Sequence, residues 1–168
     1  MQINGSRAEL EQTDLVENGP VALAHEHCMR ILIAVDGSEH SSLALRYVAR
    51  LTKDLEETPE VHVLFVDEPL LRSVALDLGT EGVARYHAES AKLPFRQARR
   101  ILDRADLSYE EHLLIGDPAE TILKLAKSAK CELVVMGSHG RSALKSLLLG
   151  SVTSKVLGHS QIPLTIVR

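Results

Sequence analysis

Short apolar runs separated by segments with helical spacing are the feature of this 168-residue chain that most restricts its fold. Each run is long enough for a buried strand, and the segments between the runs place apolar residues at three- and four-residue steps. Strands that alternate with helices over short connections pair in parallel through right-handed crossovers. The sequence therefore predicts an α/β fold with a doubly wound, five-stranded, mainly parallel sheet and helices on both faces. The predicted strands are the run that begins at Arg30, then Val61–Val66, Tyr109–Ile115, Glu132–Met136 and Pro163–Val167.

A helix start stands out at Asp117, which is followed by Pro118 at the first helical position and by Glu120 close behind. An Asp side chain accepts hydrogen bonds from the free N–H groups of a first turn, and Pro needs no hydrogen bond at that position. The pattern predicts that a helix begins here, directly after the third strand.

Residues 69–92 give the least regular pattern in the chain. Gly79, Gly82 and the nearby Pro94 are predicted to break any long helix in this part of the chain. The Leu and Val residues between them are nevertheless sufficient to pack against a neighbouring element. We interpret the segment as a partly helical insertion.

The composition disfavours several classes of partner. A formal net charge of -4 provides no overall field that would attract a polyanion, so a nucleic acid partner is not expected. The apolar runs fall far short of the ~20 residues of a membrane span, and no basic segment followed by a hydrophobic stretch marks the N-terminus. We therefore expect a cytoplasmic protein without a membrane span. Cys28 and Cys131 lack metal-site spacing and are predicted to be reduced thiols.

Two glycines directly after the fourth predicted strand, Gly137 and Gly140, begin the most informative motif of the chain, MGSHGRSALKSLLLGSVT. Glycines at these positions allow positive φ angles and the close approach of a ligand, so that backbone N–H groups converge on an anion. The motifs of P-loop NTPases, dinucleotide-binding proteins and serine hydrolases do not occur in the sequence. The motif therefore favours a phosphate site of another kind.

The second half of this motif adds a helix start to the glycine turn. Residues 142–149 are predicted to form a short helix that Gly150 stops. Ser151 is predicted to cap the last helix, whose free N–H groups and partial positive charge favour a phosphate. The hydroxyls of Ser151 and Thr153 are candidate phosphate ligands.

Five segments of the chain resemble the universal stress protein family, namely VDGS, VDEP, GDPAETI, MGSHGR and GSVTSKVL. The resemblance covers residues 30–168 and leaves residues 1–29 as a predicted flexible N-terminal extension. It implies a Rossmann-like architecture similar to adenine nucleotide alpha hydrolases, with residues 30–168 as the nucleotide-binding domain. The spacing G-x2-G-x9-G-S/T, which in this family distinguishes members that bind ATP, is intact here.

The resemblance also implies roles for individual positions. Asp36 and the adjacent Ala34 and Val35 are expected to contact adenine and ribose. Val66 is expected to offer a main-chain contact to the base. From the residues alone, two alternatives stay open: the Asp36 carboxylate caps the first helix, and the Arg141 side chain is simply solvated. The expected phosphate side consists of Met136, Gly137, Gly140, Arg141, Gly150, Ser151, Val152 and Thr153, with His139 as a further neighbour.

These features favour an ATP-binding stress-response protein that regulates through nucleotide-dependent conformation, oligomerisation or partner binding. The expected ligand is ATP, with or without Mg²⁺, and AMP or ADP are alternatives; the regulatory protein partner is unidentified. The C-terminal strand PLTIVR is predicted to lie at the sheet edge and to pair in a homodimer. A slow ATP hydrolase or phosphotransferase and a nucleotide-independent interaction module remain as rival hypotheses. We assign no catalytic residue and no metal site, because His25-Glu26-His27 lacks a third ligand at a recognisable spacing.

Overall fold

The computed structural model describes residues 28–141 and 149–168, and in this part of the chain five strands form one sheet in the order β3-β2-β1-β4-β5. Every neighbouring pair of strands is parallel. The doubly wound, five-stranded sheet predicted from the sequence is therefore confirmed. The strands are β1 (Arg30–Ala34), β2 (Glu60–Asp67), β3 (Tyr109–Ile115), β4 (Leu133–Gly137) and β5 (Leu164–Val167).

Helices cover both faces of the sheet and divide the core into two clusters. Alternate strand residues such as Ile33 and Val63 pack under the first two helices, and their neighbours such as Leu32 and Leu64 pack under the other two. Both clusters consist mainly of Val, Leu, Ile and Ala, as expected for a chain in which aromatic residues make up 3%. The helices are α1 (Glu39–Leu51) and α2 (Arg72–Leu102) on one face, and α3 (Pro118–Ser128) and α4 (Ser151–His159) on the other.

Some sequence-based predictions fall outside the described residues. These are the extension before Cys28, including His25-Glu26-His27, and the short helix predicted before Gly150, apart from Leu149. None of the helices in residues 28–141 and 149–168 combines the length and the apolar character that crossing a bilayer requires.

Helix α2 confirms the predicted break at Gly79 and corrects the prediction at Gly82 and Pro94, neither of which interrupts it. The backbone leaves helical geometry at Gly79, where φ is 65° and ψ is 175°, and is helical again from the next residue. Pro94 is buried together with Phe95 in the part of α2 that packs on the sheet. A proline inside a helix removes one backbone hydrogen bond, and here the packing of an apolar helix face outweighs that cost.

The strand order reverses between β1 and β4. The chain proceeds outwards from β1 through β2 to β3, and then crosses to the other side of β1 to add β4 and β5. In open α/β sheets ligands bind beyond the carboxyl ends of the strands at such a point, because the loops from the two strands diverge there. The turn after β1 and the loop after β4 are therefore the expected location of a ligand site.

Asp117 caps α3 as predicted, with its carboxylate accepting a hydrogen bond from the Glu120 N–H at 3.0 Å. The Lys155 ammonium lies 3.4 Å from the other carboxylate oxygen and so connects the cap to α4. The Glu120 N–H and, to a smaller extent, the charge of Lys155 hold the pKa of Asp117 below its ordinary value. The ionised carboxylate is therefore the form that the fold favours.

Gly137 ends β4 at the place where α1 begins, and the helix crosses directly over it. A Cβ atom on Gly137 would lie 2.7 Å from the backbone carbon of His40. The φ angle of Gly137 is not positive, and neither is that of Gly140, so the predicted left-handed turn at these two residues is wrong. Glycine is required at Gly137 because two backbones approach closely, which the sequence pattern alone does not distinguish from a turn.

We expect Asp117→Ala to lower the stability of the fold above about pH 4, where an unpaired carboxyl is ionised. Because the pKa of Asp117 is lowered on folding, its contribution is present above the unfolded pKa and is lost as the pH falls through the folded value. Thermal unfolding of Asp117→Ala and wild type at a series of pH values should show a difference that shrinks on acidification. Asp117→Asn, which keeps an acceptor for the Glu120 N–H, is the control with an intermediate effect. A difference independent of pH would contradict the prediction.

We also expect Gly137→Ala to destabilise the protein by about 1–3 kcal/mol, because the new Cβ forces α1 away from β4. Gly158→Ala is the matched control, since a Cβ on Gly158 meets no atom within 4 Å and the residue lies in α4. That control should be neutral or stabilising by up to about 1 kcal/mol. Denaturant unfolding measures both values, and equal stability of the two variants would show that the close approach is not a constraint.

Candidate functional site

The carboxylate of Asp36 joins the turn after β1 to the loop after β4. Its Oδ1 accepts a hydrogen bond from the Ser38 N–H at 2.9 Å, and its Oδ2 accepts one from the Arg141 N–H at 2.9 Å. Asp36 does not cap α1, because Ser38 occupies that position and its Oγ accepts from the Ser41 N–H at 3.1 Å. Asp36 instead fixes the two loops of the switch point next to each other.

The glycines of the motif allow three backbone segments to approach one another. A Cβ on Gly140 would lie 2.7 Å from Asp36 Oδ2, and one on Gly150 would lie 3.3 Å from the Cα of His139. The Gly150 N–H donates to the Ser138 carbonyl at 2.8 Å. The start of α4 is therefore held against the loop that follows β4, as the spacing G-x2-G-x9-G-S/T requires.

Helix α4 begins without a side-chain cap. Gly150, with φ −67° and ψ 159°, is the N-cap residue, and Ser151 is the first residue of the helix. The prediction that Ser151 caps this helix is therefore wrong, because an N-cap residue has extended backbone angles and Ser151 already has helical ones. The first-turn N–H groups of Ser151, Val152 and Thr153 are left to solvent or to a ligand, and the helix dipole adds partial positive charge there.

The two hydroxyl groups of this turn differ in their surroundings. Thr153 is buried, and its Oγ1 donates to the Gly137 carbonyl at 3.0 Å, which ties α4 to the end of β4. Ser151 is exposed. The structure therefore gives the Thr153 side chain a bond inside the protein and leaves the Ser151 side chain at the surface.

Apolar residues at the ends of β1, β2 and β4 share the face that α3 and α4 cover. Ala34, Val66 and Val152 are half-buried and pack against the core cluster that includes the buried Met136. Val35 points to the opposite face, where it belongs to the core under α1 and α2. Val35 therefore presents only its backbone to the site.

His139 and Arg141, both expected from the sequence near the phosphate side, make contacts with neighbouring side chains. The His139 Nδ1 lies 3.1 Å from the Ser138 Oγ, and the His139 ring lies 5.3 Å from that of His40 in α1. The Arg141 guanidinium lies 5.9 Å from the centre of the Phe65 ring, within the range of a cation–π contact. The loop therefore carries two basic side chains, and the exposed Arg141 also contacts an aromatic ring at the outer limit of the cation–π range.

A buried contact between a histidine and a carboxylate lies beside the site. The His87 ring in α2 is 3% exposed, and its Nδ1 lies 2.8 Å from the carboxylate of Asp67, the last residue of β2. The sequence motif VDEP marks Asp67, but no local pattern selects His87 because the partner comes from another element. This contact anchors α2 to the carboxyl end of β2.

The model of the Universal stress protein family matches residues 28–168 of this chain. Universal stress protein MJ0577 of Methanocaldococcus jannaschii is 31% identical over 152 residues, which cover 83% of this chain and 94% of that protein. Universal stress protein YxiE of Bacillus subtilis is 31% identical over 147 residues, which cover 83% of this chain and 98% of that protein.

Solved structures agree with these matches. The structure of MJ0577 superposes with a TM-score of 0.70 at 29% identity, covering 82% of this chain and 94% of that one. A universal stress protein in complex with cAMP has a TM-score of 0.61 at 24% identity, covering 83% of this chain and 97% of the other. The universal stress protein of Archaeoglobus fulgidus in complex with dAMP has a TM-score of 0.58 at 22% identity, with coverage of 83% and 98%. The last two likenesses concern the fold.

Family model, relatives and architecture thus agree over the same part of the chain. The chain belongs to the universal stress protein family.

Proposed function

We propose that this protein binds an adenine nucleotide at the carboxyl ends of β1, β2 and β4, with ATP as the preferred ligand and AMP or ADP as alternatives. The observation that carries the proposal is the uncapped start of α4, which lies against the glycine loop at the switch point of the sheet. The bound nucleotide would act as a regulatory ligand that stabilises one conformation or assembly.

The start of α4 suits a phosphate group. First-turn N–H groups without an internal partner bind anions, and the helix dipole favours negative charge at the same place. A Cβ on Gly140 would lie in the space beside Asp36. Glycine at position 140 therefore leaves that space open for a phosphate to approach the start of α4. The N–H groups of Ser151, Val152 and Thr153 are our proposed phosphate donors, with the Ser151 hydroxyl beside them.

The other end of the site suits a nucleoside. Half-buried Ala34 and Val66 offer an apolar surface of the kind on which a base packs. Backbone N–H and C=O groups at the ends of β1 and β2 can form hydrogen bonds with the edge of the base. An ionised carboxylate has about four lone-pair positions, of which Asp36 uses two for backbone N–H groups. Asp36 therefore retains capacity to accept hydrogen bonds from ribose hydroxyls while it still holds the two loops together.

Adenine nucleotides are the ligands named for two solved universal stress proteins, one bound to cAMP and one to dAMP. Their folds superpose on this chain, and this supports an adenine ligand for the present site. The intact G-x2-G-x9-G-S/T spacing supports a ligand with more than one phosphate.

Regulation is favoured over fast catalysis. Rapid phosphoryl transfer requires cations around the transferred group and a residue that orients the nucleophile. In the described part of the loop, the Arg141 guanidinium lies against Phe65, and the Asp36 carboxylate already accepts two backbone N–H groups. We therefore expect hydrolysis of ATP, with Mg²⁺ accompanying the triphosphate, to be much slower than about 1 per second.

We propose in addition that the protein forms a homodimer through β5. This strand lies at the edge of the sheet, and its four residues are half-buried. The Pro163 and Val167 carbonyls accept hydrogen bonds from the N–H groups of Val134 in β4 and of Ser138 directly after it. Because the backbone groups of successive strand residues point to opposite sides, the N–H and C=O of Ile166 point away from β4. An edge with outward N–H and C=O groups pairs readily with the same strand of a second copy.

The nucleotide proposal predicts that ATP raises the unfolding temperature of the wild type and that Gly140→Val weakens ATP binding about tenfold or more, since a branched side chain collides with Asp36. Calorimetric titration with ATP and AMP measures both affinities. Gly158→Val is the matched control, because a Cβ on Gly158 has open space around it.

If Gly140→Val binds ATP with the affinity of the wild type, the glycine loop is not part of the nucleotide site. Failure of the wild type to bind either nucleotide would favour the nucleotide-independent module. Phosphate release at or above about 1 per second would favour the enzyme.

The dimer proposal predicts that Ile166→Pro produces a monomer, since proline removes the outward N–H and leaves the bonds to β4 in place. Sedimentation velocity at several concentrations measures the assembly, and Ile166→Val is the control that keeps the N–H. A dimeric Ile166→Pro variant, or a monomeric wild type, would contradict pairing through β5.

A further inference from the structure

A cluster of two histidines and a glutamate lies on β2 and β3, on the face of the sheet that α3 and α4 cover. His62 pairs in register with Glu110, and Leu64 pairs with His112, so the three side chains stand on the same side of two neighbouring strands. His62 is 4% exposed, whereas the side chains of His112 and Glu110 are 18% and 67% exposed. The cluster is therefore closed at His62 and open to solvent at Glu110.

The three potential ligand atoms form a triangle with one short side, between the two histidines. The His62 Nδ1 lies 3.0 Å from the His112 Nε2, and the Glu110 Oε2 lies 3.6 Å from the first atom and 3.7 Å from the second. A point equidistant from the three atoms lies about 2.0 Å from each, which matches Zn–N bonds of about 2.0–2.1 Å and Zn–O bonds of about 2.0–2.2 Å. The three distances are thus compatible with one central ion, which would replace the hydrogen bond between His62 and His112.

The surroundings of His62 favour the ring form that binds a metal through Nδ1. Its Nε2 is buried and makes no hydrogen bond of acceptable geometry, but the Glu60 Oε1 lies only 3.3 Å away. In the tautomer with a proton on Nε2, that proton lies near this carboxylate and Nδ1 carries the lone pair. The Arg30 Nε pairs with the other oxygen of Glu60 at 2.9 Å and holds that side chain beside the ring. A carboxylate behind a ligating histidine is a common feature of metal sites.

We propose that His62, His112 and Glu110 bind a divalent transition-metal ion of the zinc class. Two imidazoles and one carboxylate are ligands typical of Zn²⁺, and water completes the fourth position on the exposed side. This proposal replaces the expectation from the sequence that the chain has no metal site. The sequence pattern does not reveal this site, because His62 is far along the chain from Glu110 and His112. The register of β2 with β3 brings the three residues together.

The proposed site is separate from the proposed nucleotide site. His62 is five residues before the carboxyl end of β2 at Asp67, a distance of about 16 Å along the strand. A bound ion would join β3, an edge strand, to β2 by side-chain bonds in addition to their ladder. Its expected effect is therefore on the stability of this edge, whether or not a nucleotide is bound.

The test uses the full chain after treatment with a chelator. Calorimetric titration with ZnCl₂ should show binding, and the unfolding temperature of the protein should rise as the Zn²⁺ concentration is increased. Addition of CoCl₂ should give the visible absorption of a four-coordinate Co²⁺ ion. His112→Gln and Glu110→Gln each remove one ligand and should weaken Zn²⁺ binding by about 100-fold. Loss of a hydrogen-bond partner behind a ligand already weakens metal binding by about 10- to 100-fold, and loss of a ligand itself should cost at least as much. Both substitutions are on the accessible side of the cluster, and circular dichroism without metal checks their folding.

Two controls separate this cluster from other histidines. His159→Gln changes an exposed histidine at the end of α4, and a double change of His25 and His27 to Gln removes the histidines before the described residues. Both should retain the cobalt spectrum and the Zn²⁺ affinity of the wild type. The proposal is overturned if the wild type binds neither ion, if His112→Gln and Glu110→Gln bind as the wild type does, or if only the change at His25 and His27 abolishes binding.

Discussion

The carboxylate of Asp36 is the group on which the arrangement of the site depends. It accepts backbone N–H groups from Ser38 and from Arg141, which belong to loops that leave the sheet on either side of the strand-order reversal. A charged acceptor makes stronger hydrogen bonds than a neutral one, and of these two bonds the one from Ser38 is part-buried and the one from Arg141 is exposed. Asp36 thus links the two loops, and the start of α4 lies against the second of them.

The three glycines of the motif stand where neighbouring groups leave little room for a side chain. Gly137 accommodates the backbone of α1, Gly140 accommodates the side chain of Asp36, and Gly150 accommodates the loop at His139. Each glycine is thus required by a different neighbour, although all three belong to one sequence pattern. The phosphate-binding property that we propose for the start of α4 results from this crowding, since no side chain is left to cap the helix.

The architecture could be predicted from the sequence because apolar periodicity and short connections specify it. The strand Tyr109–Ile115 and the cap at Asp117 are local signals and were correct. Features that depend on contacts between distant elements could not be predicted in this way. The helical path through Pro94 depends on burial against the sheet, and the meeting of His62 with His112 depends on the register of β2 with β3. A glycine pattern likewise does not reveal which neighbour excludes a side chain.

The break in α2 at Gly79 divides this helix into two parts with different surroundings. The part that contains Pro94 is wedged beneath the first turn of the site, because a Cβ on Gly37 would lie 3.5 Å from the Pro94 ring and 3.4 Å from Leu93. The part before Gly79 carries exposed Leu76 and Leu78. The later part thus packs beneath the turn that bears Asp36, whereas the earlier part presents apolar side chains to solvent.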